Sequence, residues 1–156
     1  MNRKAKTMDL ILWRHAEAED GFPDLKRALT PKGRKQAAKM AAWLHKHLPL
    51  PLQVLVSPAV RAQETAGAFT KSFETIDELA PGAPSTAILE AAGWPDTVGA
   101  VLVVGHQPTL GQAAASLLSG EPMDWEMKKG AIIWVAHQPD VPGQVMLRAV
   151  LSPALL

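Results

Sequence analysis

The sequence predicts an α/β fold in which a mostly parallel central sheet carries helices on both faces, and two observations support this. Uniformly apolar segments at residues 10–13 and 100–104 are typical of strands buried on both faces of a parallel sheet. Segments with helical spacing of apolar residues alternate with such strands along most of the chain, as in layered α/β domains. The length of 156 residues suits one domain with one core, so we expect residues 1–156 to form a single domain.

The first half of the chain is predicted to hold three strands and two helices. A strand at 10–13 is followed by a polar loop at 15–28. Thr30 and Pro31 form the pattern of a helix cap followed by a first-turn proline, and that helix is expected to stop before Pro49. The remaining elements predicted here are a strand at 53–56, a helix that Ser57 and Pro58 start and that runs to about Thr70, and a short strand at 73–76.

The second half continues the alternation and then changes. A short helix at 85–92 is closed by Gly93, which suits a helix C-terminus. A strand at 100–104 and a helix at 109–118 follow. Two β-rich segments, 131–136 and 145–151, are separated by the turn formers Pro139, Pro142 and Gly143 and are expected to add strands at an edge of the sheet.

Composition excludes several classes of function. The hydrophobic fraction of 47% and charged fraction of 20% are ordinary for a globular protein, and the net charge of +1 gives no reason to expect a nucleic-acid partner. Cysteine is absent, which excludes disulfides, thiolate metal sites and cysteine nucleophiles. The apolar run after the basic N-terminus is too short for a signal peptide, and nothing approaches a membrane span. We therefore expect a cytoplasmic protein without a membrane partner.

Polar side chains follow three of the predicted strands, at the end where parallel α/β sheets bind ligands. The first strand leads into Arg14 and His15, the second into Ser57 with Arg61 shortly after, and the fourth into Gly105 and His106. Guanidinium groups match the oxygens of a phosphoryl group, and an imidazole can serve as nucleophile or donor. The sequence therefore predicts a site for a tetrahedral oxyanion such as phosphate at this edge.

Four sequence blocks resemble the signatures of the SixA branch of the histidine phosphatase superfamily. They are LILWRHAEA at 10–18, which is similar to the R-H-A-x-A signature, LTPKG at 29–33, SPAVRAQETA at 57–66 and VGHQP at 104–108. The blocks occur in order over residues 9 to about 118. The resemblance implies a phosphoglycerate mutase-like fold. Two departures from the wider superfamily are Ala16, where many members have glycine, and Gln107, where they have asparagine.

The resemblance also implies residue roles. His15 would attack phosphorus and carry a covalent phosphoryl group, with its other ring nitrogen oriented by a backbone carbonyl. Arg14, Arg61 and His106 would hold the phosphoryl oxygens and stabilise the transition state. Arg27, which precedes the LTPKG block, would be a fourth phosphate contact.

Larger members of the superfamily carry a helical insertion that covers the pocket and supplies an acidic residue, and this chain lacks room for it. The interval between Arg61 and His106 must already hold part of a helix, a strand and a short helix. Glu78 is the best candidate for a general acid by its position. An imidazole leaving group would need such an acid less than an alkoxide would.

Three neighbouring acids, Glu17, Glu19 and Asp20, are interpreted as solvated loop residues because no H-x-x-H pattern accompanies them. We therefore expect neither a metal nor another cofactor. The serine at 57 is interpreted as a helix cap rather than a nucleophile.

These inferences converge on a metal-independent phosphohistidine phosphatase that acts on a phosphorylated histidine of a protein, such as a histidine phosphotransfer domain. Two alternatives stay open. One is a small-molecule phosphomonoesterase of the same superfamily, and the other is a phosphate-binding module without turnover.

Overall fold

A computed structural model describes residues 7–141 and 143–156. It holds a six-stranded sheet and four α-helices. The strands are β1 Met8–Arg14, β2 Leu52–Val56, β3 Glu74–Thr75, β4 Gly99–Gly105, β5 Ile132–His137 and β6 Val145–Leu151. The helices are α1 Pro31–His47, α2 Val60–Phe69, α3 Ser85–Ala92 and α4 Thr109–Ser119.

The sheet is mixed but mostly parallel, in the order β3-β2-β4-β1-β5-β6. β1 and β2 both pair in parallel with β4, and β2 pairs in parallel with β3. β5 runs antiparallel to β1, and β6 runs antiparallel to β5. The predicted α/β class is confirmed, including the addition of the last two strands at one side of the sheet.

Apolar side chains of β1 pack on both faces of the sheet, which explains why its sequence does not alternate. Leu10 and Leu12 belong to the cluster that includes residues of α3 and α4. Ile11 and Trp13 belong to the cluster on the other face, with residues of α1 and α2. The helices therefore cover both faces, as predicted.

The predicted elements are found with small changes of their ends. Thr30 caps α1 by accepting a hydrogen bond from the Gly33 amide at 2.9 Å, and Pro31 is the first helical residue. The predicted polar loop contains a short 3-10 turn at Asp24–Lys26. Pro142, one of the predicted turn formers, lies outside the described residues, whereas Gly143 has the positive φ of 78° that favours glycine.

The predicted role of Ser57 as a helix cap is wrong. α2 begins only at Val60, its N-terminal boundary residue is Ala59, and no side chain caps it. Ser57 instead continues the path of β2, and its hydroxyl turns toward His106. Within the described ranges, no helix has both the length and the apolar composition needed to cross a lipid bilayer.

Candidate active site

The three strands that carry the predicted site residues are neighbours in the sheet, in the order β2, β4, β1. Backbone hydrogen bonds extend the parallel ladder one residue past each strand end. The His15 amide donates to the Gly105 carbonyl at 3.1 Å, and the Ser57 amide donates to the Val104 carbonyl at 3.1 Å. Segments far apart in the sequence are therefore held side by side at the carboxyl edge of the sheet.

His15 is buried, and both of its ring nitrogens have partners. Nδ1 lies 2.7 Å from the Ala16 carbonyl oxygen. A carbonyl only accepts, so Nδ1 carries the proton and Nε2 presents a lone pair. The Nε–H of Arg61 points at that lone pair from 3.3 Å. The predicted orienting carbonyl is thus that of Ala16.

The imidazole of His15 is neutral near pH 7. Its pKa is lowered to about 4: burial has the largest effect, the hydrogen bond to Ala16 opposes it, and the positive charges of Arg61, Arg14 and Arg27 add to it. A neutral imidazole with an unprotonated Nε2 is the nucleophilic form.

Arg61 lies in the first turn of α2 and is only 5% exposed. Besides contacting His15, its guanidinium donates to the Asp24 carbonyl at 2.9 Å and to the Asp24 carboxylate at 3.1 Å. Glu64, which follows on the same helix, does not pair with Arg61. It accepts hydrogen bonds from the Leu29 amide and from Arg34. The helix therefore presents Arg61 to the His15 side.

His106 faces His15, with 5.1 Å between ring centroids. Its Nε2 lies 2.7 Å from the Ser57 hydroxyl oxygen. That oxygen also accepts from the Ala59 amide at 3.2 Å. Nδ1 of His106 is a buried atom without a hydrogen-bond partner among the described residues, and it carries the imidazole proton when the Ser57 hydroxyl donates to Nε2.

His106 is also neutral near pH 7, because burial, then the repulsion that two protonated rings would feel beside His15, and then the charge of Arg61 lower its pKa to about 3. With its proton on Nδ1, this neutral ring can donate one hydrogen bond to an anion without carrying a full charge.

Arg14 ends β1 and directly precedes His15. Its Nη1 donates to the Met127 carbonyl at 2.6 Å, whereas its Nε is buried without a partner among the described residues. Burial lowers the pKa of Arg14 and the Glu126 carboxylate opposes that effect. A guanidinium stays charged at neutral pH, so Arg14 adds positive charge beside His15.

Arg27 reaches the site through Asp24. Its Nη1 donates to one oxygen of the Asp24 carboxylate at 2.9 Å, while Arg61 holds the other oxygen. Arg27 also donates to the Glu19 carbonyl at 2.7 Å. Asp24 was not predicted from the sequence, although an acid three residues before Arg27 was a signal for an ion pair.

Thr65 is a second site residue that was not predicted from the sequence. Its hydroxyl donates to the Arg61 carbonyl at 2.7 Å and accepts from the Ala16 amide at 3.0 Å. It therefore ties the chain that leaves His15 to α2. Its position one helical turn after Arg61, within the SPAVRAQETA block, placed it on the same helix face.

Two further residues have structural surroundings that bear on their predicted roles. The Gln107 amide donates to the Trp125 carbonyl at 2.8 Å and accepts from the Gly111 amide at 2.7 Å, so it anchors the loop after α4. Glu78 is exposed in the 3-10 turn Asp77–Leu79. No hydrogen bond or ion pair between described residues joins Glu78 to His15, Arg61 or His106.

The arrangement combines two neutral imidazoles, three guanidinium groups and one carboxylate. It offers an unprotonated ring nitrogen as nucleophile and N–H donors for oxyanion oxygens. In the described part of the chain, no group of three or more histidine, aspartate or glutamate side chains is placed to hold a metal ion.

Comparison of the sequence with protein families finds a match between residues 10–81 and the histidine phosphatase superfamily, branch 1. An uncharacterized protein of Mycobacterium tuberculosis is 36% identical over 110 residues, covering 68% of this chain and 70% of the relative. The phosphohistidine phosphatase SixA of Escherichia coli is 33% identical over 124 residues, covering 73% of this chain and 76% of that protein.

The fold is also similar to solved structures. The protein histidine phosphatase SixA complexed with tungstate superimposes with a TM-score of 0.80 at 28% identity. The superposition covers 95% of this chain and 99% of that one. Tungstate is a tetrahedral oxyanion like phosphate, so that similar protein binds an anion of the predicted shape.

Proposed function

This chain belongs to the histidine phosphatase superfamily as a SixA-type member, and from this membership we propose that it removes the phosphoryl group from a phosphorylated histidine of another protein. The proposal includes a covalent intermediate on His15 and no metal. The observation that carries it is the state of His15: Nδ1 is bound to the Ala16 carbonyl, and Nε2 is unprotonated beside the Arg61 guanidinium.

In the first step, Nε2 of His15 attacks phosphorus and forms a P–N bond, while the bond from phosphorus to the leaving imidazole breaks. The leaving nitrogen takes its proton from water. Arg14, Arg27 and Arg61 hold the phosphoryl oxygens, and Nδ1–H of His106 donates to one of them. These groups are already oriented before substrate arrives, which is where enzymes gain most of their electrostatic stabilisation.

In the second step, a water oxygen attacks the phosphoryl group on His15, and the P–N bond to Nε2 breaks. Orthophosphate leaves, and His15 returns to the neutral form that its low pKa favours. The same donors act in both steps because the phosphoryl group stays in the same position.

The geometry favours a protein substrate over a small phosphate ester. The chain between Arg61 and His106 forms only the rest of α2, β3, a 3-10 turn, α3 and β4, so no helical insertion lies there to cover the site. Without such an insertion, a phosphohistidine that projects from another protein can approach this edge of the sheet. For an alkoxide leaving group, Glu78 is the proton donor that we would test first.

The decisive experiment measures release of orthophosphate from a phosphorylated histidine phosphotransfer domain in excess chelator. We expect turnover by the wild-type protein and a loss of more than about a thousandfold in His15→Ala, because removing a nucleophile costs that much or more. His47→Ala is the matched control, since this exposed histidine stacks on Trp43 at the end of α1 and should keep full activity. Alkaline quenching should trap phosphate on residue 15 in the wild type only.

Each alternative has its own outcome. Faster turnover of sugar phosphates than of the phosphoprotein would support the small-molecule phosphomonoesterase. Oxyanion binding without any turnover would support the phosphate-binding module. Activity that chelator abolishes, or that His15→Ala retains, would contradict the proposed mechanism.

A further inference from the structure

The carboxylate of Asp24 binds two of the arginines that the proposed mechanism assigns to the phosphoryl group. One oxygen accepts from Arg27 at 2.9 Å, and the other accepts from Arg61 at 3.1 Å. The mechanism described above gives this carboxylate no task, although it lies next to the guanidinium that contacts the proposed nucleophile.

A carboxylate and a phosphoryl group compete for the same kind of donor. Both present negatively charged oxygens that accept charge-assisted hydrogen bonds from the N–H groups of guanidinium. An incoming phosphoryl group that uses the same N–H groups of Arg27 and Arg61 must displace the carboxylate. If the carboxylate stayed, it would place one more negative charge beside a phosphoryl dianion, which is unfavourable.

The Asp24 carboxylate is ionised at neutral pH. Hydrogen bonds from Arg27 and then from Arg61 hold its pKa below the usual value. Competition with a phosphoryl group is therefore a competition between two anions throughout the physiological range.

Asp24 is also the partner that is free to move away. Its side chain is 54% exposed, compared with 6% for Arg61. It begins the 3-10 turn Asp24–Lys26, which contains no buried residue. Arg61, in contrast, is packed in the first turn of α2 and bound to His15. The carboxylate can rotate into solvent while the guanidinium stays.

Removing the charge of Asp24 leaves Arg61 positioned. The Nη1 of Arg61 donates to the backbone carbonyl of Asp24 at 2.9 Å, a contact that does not depend on the side chain. Asparagine has the same shape as aspartate without the charge. Asp24→Asn therefore tests the negative charge separately from the position of the arginine.

We propose that Asp24 competes with the phosphoryl group for Arg27 and Arg61 and thereby lowers the affinity of the site for the orthophosphate product. The inference rests on the proposed function, because it takes these arginines as phosphoryl ligands. Return of the carboxylate to the arginines would speed the exit of orthophosphate and limit product inhibition.

The test compares inhibition by orthophosphate, and binding of tungstate by calorimetry, in the wild type and Asp24→Asn. We expect the inhibition constant and the tungstate dissociation constant to fall about fivefold in Asp24→Asn. This factor corresponds to about 1 kcal/mol of binding free energy, the expected effect of removing an exposed negative charge near the oxyanion. Asp20→Asn is the matched control: this exposed acid in the same loop should leave both constants unchanged. Asp24→Ala should behave like Asp24→Asn, and thermal unfolding checks that both variants fold.

Unchanged oxyanion binding in Asp24→Asn would overturn the inference. Weaker binding would also overturn it and would mean that the carboxylate positions the arginines. Arg61→Ala separates this failure from failure of the proposed function. If wild-type protein binds tungstate and Arg61→Ala does not, the proposed phosphoryl site is supported independently of the result for Asp24→Asn. If neither the wild type nor any variant binds tungstate or orthophosphate, both the proposed phosphoryl site and the inference about Asp24 are contradicted.

Discussion

The hydrogen-bond partners of the two site histidines leave a different ring nitrogen available on each, which suits the two rings to different roles. The Ala16 carbonyl places the proton of His15 on Nδ1 and leaves Nε2 as the nucleophile. When the Ser57 hydroxyl donates to Nε2 of His106, the proton of that ring lies on Nδ1. One ring thus offers a lone pair and the other an N–H, although both are neutral. The difference comes from a single neighbouring group in each case.

The low pKa of His15 leads to a prediction at the scale of the residue. Because burial and the arginine charges lower it to about 4, the ring should stay neutral from pH 8 down to about pH 5. NMR titration of the imidazole C–H signals measures this directly, and the spectrum of His15→Ala assigns the signal among the five histidines. A midpoint near 6.5 for His15 would contradict the prediction.

At the scale of the element, a close contact between α1 and the loop after β1 positions His15. The Glu17 carbonyl lies so near Gly33 that a Cβ there would approach the oxygen to 2.0 Å. The same carbonyl accepts from the Thr30 amide at 3.0 Å. The helix therefore packs its first turn directly against the backbone two residues after His15, and only glycine allows this approach.

This contact predicts that Gly33→Ala lowers both stability and activity. The added methyl meets backbone that cannot rotate away, so the loop must shift, and overpacking of this kind costs about 1–3 kcal/mol. Chemical denaturation measures the loss of unfolding free energy, and phosphatase assays should show reduced turnover.

Gly67→Ala in α2 is the matched control. The nearest atom to a Cβ there is the flexible end of Lys71 at 3.2 Å. Alanine also stabilises a helix interior relative to glycine by about 1 kcal/mol. We expect the unfolding free energy of Gly67→Ala to be unchanged or higher. Equal behaviour of the two variants would show that the contact with Glu17 does not matter.

At the scale of the whole molecule, the order of the strands decides where the site lies. β4 lies between β1 and β2, so the segments that carry His15, His106 and Arg61 leave the same edge next to each other. β5 and β6 pair on the other side of β1, and the loop before β5 supplies the Met127 carbonyl that holds Arg14. Strands β1, β2 and β4 and the loop before β5 therefore contribute to one site.

Burial of two neutral histidines predicts a dependence of global stability on pH. Both folded-state pKa values, about 4 for His15 and about 3 for His106, lie below the value of about 6.5 in an unfolded chain. Above pH 6.5 the histidines are neutral in both states and have no effect. As pH falls below 6.5, the unfolded chain binds protons that the folded protein does not, so the folded state loses stability.

The loss of unfolding free energy should approach about 1.4 kcal/mol per pH unit for each histidine between pH 6 and 5. Most carboxylates stay ionised in this range, so the histidines dominate the change. Urea denaturation at several pH values measures it. His15→Asn should show a shallower slope than the wild type, whereas His47→Ala should not. A wild-type stability that stays constant between pH 7 and 5 would contradict the assigned burial.

Local patterns in the sequence were sufficient to predict most of the fold. The uniformly apolar strands, the Thr30–Pro31 helix start and the alternation of elements each depend on residues close in the chain. The positions of Arg14, His15, Arg61 and His106 at strand ends followed from the same reading, because parallel strands share one carboxyl edge. The resemblance of four sequence blocks to a known family then suggested their roles.

The tertiary structure alone decided which groups meet at that edge. No local pattern places the Asp24 carboxylate between Arg27 and Arg61, turns Ser57 toward His106 instead of a helix end, or sets the Thr65 hydroxyl on the chain after His15. The contacts of Asp24 with Arg61, Ser57 with His106 and Thr65 with Ala16 join residues 37 to 49 positions apart. Such contacts depend on the path of the loops and on the packing of helices against the sheet, which periodicity and capping signals do not encode.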